Sequence, residues 1–263
     1  MNSHAQLNEY SRKHFEESRQ ASTRYLCDLY AIPDQYCNQP VYITVAPDAG
    51  RIPPEWAGFP SYAAAEARPS QSSILIVLSR CGSYPFGDVD QTLRHELSHV
   101  LLYRALGFHP PRWLDEGLAM RAAGEWGWQD RFFAAMALPA VARGDWKLSR
   151  VERDFSGGES SVRRSYALAK GFVLDTFKSN EDVTSFIIDA RRYRSVDRAF
   201  MIRFGVTPER AFRSWAINLP WWGEWIYWFT SMNTLWIVIT LLFLLAFVAA
   251  IRRKRKKYLA LPD

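Results

Sequence analysis

Residues 92–119 read TLRHELSHVLLYRALGFHPPRWLDEGLA, and the reading of this stretch decides what the rest of the chain has to build. His95 and His99 are four residues apart, so on a helix they share a face and can offer imidazole nitrogens to one cation. Glu96 lies beside them, placed to take a proton from a water that the ion has made acidic rather than to bind the ion. Zinc in a hydrolase usually keeps three protein ligands and one open position. Glu116, separated from His99 by 16 residues, is the candidate for the third ligand, and one zinc ion is the expected cofactor. His109 sits in a proline loop, does not fit the three-histidine spacing, and reads as a surface histidine.

Local signals frame both motif helices. Asp88 followed by Gln91 has the form of a capping box. Beyond it, Val89, Leu93, Leu97, Val100, Leu101, Leu102, Ala105 and Leu106 spread around most of a helix, which predicts that it is largely buried. Gly107 is placed to cap its end, and Pro110-Pro111 prevents continuation. A second helix is expected from about Arg112, carrying Glu116 in its first turns. Asp115 reads either as a carboxylate that orients a ligand imidazole or as an acid favoured by the start of a helix.

Upstream, residues 7–30 suit an amphipathic helix that Pro33 ends, and residues 41–45 (VYITV) a strand. Residues 47–69 read as a long surface loop with Trp56 and Phe59 pinned inward, and residues 73–78 (SILIVL) as a second strand. Downstream, helices are expected over 134–141, 161–178, 183–190, 196–204 and 211–219, with Thr207-Pro208 starting the last. The polar segment 145–159 reads as a mobile loop.

Residues 234–251 (TLWIVITLLFLLAFVAAI) form an 18-residue run without a charge. Trp221, Trp222, Trp225, Tyr227 and Trp228 precede it, and RRKRKK at 252–257 follows. This pattern predicts a single-pass transmembrane helix that contacts the lipid bilayer, with a cytoplasmic C-terminus and an extracytoplasmic, for instance periplasmic, catalytic domain. No signal peptide is visible at the N-terminus, which leaves a tail-anchored chain with its domain in the cytoplasm as the alternative. The net charge of +6 belongs to that tail: residues 1–251 hold 27 basic and 26 acidic side chains, which gives no electrostatic case for nucleic acid. Apolar residues at 48% supply a substantial core. Cys27, Cys37 and Cys81 contain no C-x-x-C pair, which argues against a cysteine zinc site. Cys27 and Cys37 could be bridged across a short turn, or all three could be thiols.

HELSH followed by WLDEGLA resembles the gluzincin superfamily of zinc metallopeptidases, and within it the peptidase MA-like group, over residues 41–215. The resemblance implies His95, His99 and Glu116 as zinc ligands and Glu96 as general base and acid. It also implies a small sheet packed on the two ligand helices and a helical subdomain after them, with SILIVL as an edge strand holding an extended peptide. Tyr166, in RRSYALAKGF, lies 50 residues after Glu116, where related enzymes carry a tyrosine or histidine that stabilises the oxyanion. Its alternative is a ring packed in the core. No G-x-M-E-N-like stretch stands upstream, so endopeptidase rather than aminopeptidase action is expected.

The expectation is thus an α+β fold with a C-terminal transmembrane helix. Residues 1–40 would form an N-terminal helical segment, 41–220 the metallopeptidase domain, 221–233 an aromatic interfacial segment, 234–251 the span and 252–263 a basic tail. The expected function is zinc-dependent hydrolysis of a peptide or protein substrate. The alternative is a catalytically inactive binding or scaffold module of the same fold at the membrane. Oligomeric state is left open.

Overall fold

The helix that carries HELSH is built from both ends by local chemistry. Helix α3 (Val89–Leu106) starts at Asp88, whose Oδ1 accepts from Gln91 N at 2.8 Å while Gln91 Oε1 accepts from Asp88 N at 3.2 Å. It ends at Gly107, whose φ of 75° is the left-handed turn that glycine adopts without a Cβ penalty. In the computed structural model, residues 2–82, 87–124, 128–218 and 236–248 are described. Contacts divide the chain into Met1–Ile217 and Asn218–Asp263.

Within the first unit the elements are α1 (Asn2–Leu29), α2 (Asp34–Cys37), β1 (Tyr42–Ala46), β2 (Ala65–Arg68), β3 (Ser73–Val77), α3, α4 (Arg112–Ala123), α5 (Trp128–Arg143), α6 (Leu148–Asp154), α7 (Glu159–Thr176), α8 (Asn180–Tyr193), α9 (Val196–Phe204) and α10 (Pro208–Asn218). The sheet order is β1-β3-β2, with β1 parallel and β2 antiparallel to β3. Ile74, Leu75, Ile76 and Val77 are all fully buried, which explains an unbroken apolar run in place of alternation. SILIVL is therefore the central strand and not the expected edge. Its second flank is paired by AEAR at 65–68, inside the segment expected to be a loop. That sequence has little strand propensity of its own; pairing with a buried strand whose backbone groups need partners imposes the conformation.

Helix α1 and the residue after it bury Ser22, Leu26, Leu29 and Tyr30, at helical spacing, and α1 packs on α3 and α8. Its end is fixed by the Cys27–Cys37 disulfide, and Arg104 of α3 donates to the carbonyls of Tyr36, Gln39 and Pro40 just beyond. Cys81 is a free thiol. Since the bridge closes a separation of 10 residues, the Cys27→Ser/Cys37→Ser variant is expected to lose about 2–3 kcal/mol in chemical denaturation. An unchanged midpoint would mean that Arg104 alone holds the turn.

Helix α4 packs on α7 at a glycine. A Cβ on Gly117 would stand 2.5 Å from Val173 Cγ2 and 2.9 Å from the Ala169 carbonyl oxygen, so Gly117 sets the closeness of the two helices. Gly117→Ala is expected to destabilise the fold by about 1–3 kcal/mol, read as a lowered denaturation midpoint. Around this contact Trp113, Phe172, Phe200, Phe212 and Trp215 form an aromatic core joining α4, α7, α9 and α10. The polar stretch read as a mobile loop instead contains α6, which buries Leu148 and Val151, with Phe155 buried just after it.

Two expectations are corrected here. The α+β class gives way to a mostly helical fold, because the sheet consists of three strands of five, four and five residues. No helix among the described residues is long and apolar enough to cross a membrane, which overturns the C-terminal transmembrane helix and the single-pass localisation. The aromatic segment 221–233 and the basic tail 252–263 lie outside the described residues.

Candidate metal centre

Helix α3 presents His95 and His99 one turn apart, and α4 presents Glu116 opposite them. Their ligand atoms all lie within 4.8 Å of one another. Glu116 Oε2 stands 3.5 Å from His95 Nε2 and 3.6 Å from His99 Nε2. Zinc bonded tetrahedrally at 2.0–2.1 Å would place its ligand atoms about 3.3–3.4 Å apart. The two measured edges are near that value and too long for ordinary hydrogen bonds. Glu116 Oε2 is buried and makes no hydrogen bond, an arrangement that is costly without a compensating cation. The three residues could therefore hold a metal ion.

The surroundings favour positive charge at this point. Asp115 Oδ1 lies 2.9 Å from His99 Nδ1, an ion-pair contact without hydrogen-bond geometry, while His99 Nε2 faces Glu116. Burial works against a charged His99, yet the carboxylates of Asp115 and Glu116 outweigh it and hold its pKa at about 9. Burial likewise works against ionised Glu116, but the adjacent imidazoles and Arg112 bring its pKa down to about 2.

Glu96, 8% exposed, lies on α3 next to His95. Tyr166 comes from α7, its ring edge-on to Phe155 at 5.2 Å between centroids. Burial raises its pKa well above the usual phenol value, and the negative charges of Glu116 and Glu96 add to this against Arg112. The structure thus gathers His95, Glu96, His99, Asp115, Glu116 and Tyr166 into one neighbourhood. His109 is not among them; it stacks on Tyr103, with ring centroids 4.5 Å apart.

Three contributions to the site went unread in the sequence. Behind α3, the buried Tyr30 hydroxyl lies 2.6 Å from Ser98 Oγ, tying α1 to the turn between the two histidines. At the start of α4, both oxygens of Glu152 accept backbone N–H bonds, from Arg112 at 2.8 Å and Trp113 at 3.1 Å. Neither contact has a local sequence signal, since the partners are far apart along the chain. Arg112 does have one: it precedes Glu116 by four residues on the same helix, the spacing of neighbouring side chains.

Comparison of the chain with protein-family models, with curated proteins and with solved structures returns no match.

Proposed function

We propose that this chain is a zinc-dependent peptidase, with His95, His99 and Glu116 holding one ion. The observation that carries the reading is the convergence of these three ligand atoms from two helices, with a hydrogen-bond-free Glu116 oxygen between the imidazoles. Held there, zinc would supply Lewis-acid chemistry that makes the attacking water more acidic. Glu96 takes the proton from the attacking water and passes it to the leaving nitrogen. Tyr166, a phenol that is neutral at pH 7 as tyrosine ordinarily is, donates a hydrogen bond to the developing oxyanion. Asp115, against His99 Nδ1, would hold the ring with Nε2 facing Glu116.

An extended substrate is read as adding to β2, which forms one edge of the sheet and packs against α3. This moves the peptide-binding edge from β3 to β2. The test is turnover of a quenched peptide library by the purified chain after zinc loading. Hydrolysis lost on chelation and restored by zinc is the expected result. Zinc-loaded protein that cleaves nothing would leave the scaffold reading in its place.

A further inference from the structure

The guanidinium of Arg112 stands at the rim of the metal centre without being committed to it. Its Nη2 is 3.9 Å from Glu116 Oε1, about 1 Å beyond a charge-assisted hydrogen bond. The one hydrogen bond its guanidinium makes among the described residues is from Nη1 to Ser156 Oγ, at 3.3 Å. The group lies 5.0 Å from the centre of the Phe155 ring, and the side chain is 45% exposed. Phe155 in turn packs against Tyr166, so the guanidinium and the phenol share a wall of the site.

The backbone beneath it is fixed. Glu152 occupies the N–H groups of Arg112 and Trp113, so an anion approaching the start of α4 meets the guanidinium and not the helix end. An arginine whose only task was to balance Glu116 would close on it as a fork. This one keeps donors directed elsewhere, beside the residues that would handle the scissile bond.

We infer that Arg112 is a specificity-determining residue that binds a carboxylate of the substrate close to the bond being cut. The inference rests on the peptidase reading for the identity of the substrate. The carboxylate has two sources, the C-terminus of a short peptide or an internal acidic side chain, and both present the same chemistry to the fork. A charge-assisted pair of this kind makes the carboxylate form bind about tenfold to a hundredfold tighter than its neutral counterpart.

The experiment measures peptide binding by calorimetry to the full chain carrying Glu96→Gln and loaded with zinc, so that cleavage does not intervene. One pair of peptides differs as C-terminal acid and amide, and a second as internal Asp and Asn. Tighter binding of the acid in the first pair assigns the terminus, and tighter binding of Asp in the second assigns the side chain. Arg112→Met in the same background is expected to bring the ratio near one, with Arg112→Lys between; Arg112→Gln replaces the Met variant if that fails to fold. Ratios near one in both pairs, including absence of binding, overturn the inference, as does a preference that survives loss of Arg112. Selective binding of carboxylate peptides that wild-type protein never cleaves would support the Arg112 site while removing the peptidase reading.

Discussion

Glu96→Gln is expected to lower kcat for peptide hydrolysis by about 10²–10⁴-fold while leaving one zinc bound per chain. The substitution keeps the volume and the polar outline of a side chain that is 8% exposed, so α3 and its two histidines should keep their positions. What it removes is the ability to accept a proton from water and return it to the leaving nitrogen. Zinc content by elemental analysis and kcat on the same preparation separate the two roles. Full turnover in this variant would remove Glu96 from the mechanism. Joint loss of zinc and turnover would make Glu96 part of the ion's binding set instead.

The second large effect belongs to the third ligand. Glu116→Ala is expected to weaken zinc binding by more than about a hundredfold, since changes merely to partners behind metal ligands cost 10–100-fold. It removes one of three donor atoms and also the charge that, with Asp115, favours a cation between the imidazoles. Glu116→Gln, which keeps the shape and loses the charge, checks that the loss is not a packing effect in this buried position. Competition against a chromophoric chelator gives the affinities. Unchanged zinc affinity in both variants would show that the ion is held elsewhere.

The site was more legible in the sequence than the fold around it, and the difference follows the range of the interactions. The ends of α3 are written in adjacent residues, Asp88 with Gln91 and then Gly107, so they could be read locally. The four-residue spacing of His95 and His99 is likewise a property of one helix. The approach of Glu116 is not, because it depends on α4 folding back after the Pro110-Pro111 turn. Strand β2 was illegible because AEAR becomes a strand only through pairing with β3. Helix α6 was missed because its buried Leu148 and Val151, with Phe155 after them, are thinly spread in a polar segment. The unbroken burial signal of SILIVL was in fact present in its composition, and it points to a central strand. The apolar run at 234–251 met a composition rule for a membrane span, whereas no helix among the described residues is long and apolar enough to cross one.

The central claim is that His95, His99 and Glu116 form a single zinc site, and anomalous diffraction at the zinc edge from crystals of the zinc-loaded chain tests it most directly. The account predicts one peak per chain, about 2.0–2.2 Å from His95 Nε2, His99 Nε2 and Glu116 Oε2. A zinc-saturated crystal with its peak at other residues, or with no peak between α3 and α4, would contradict it.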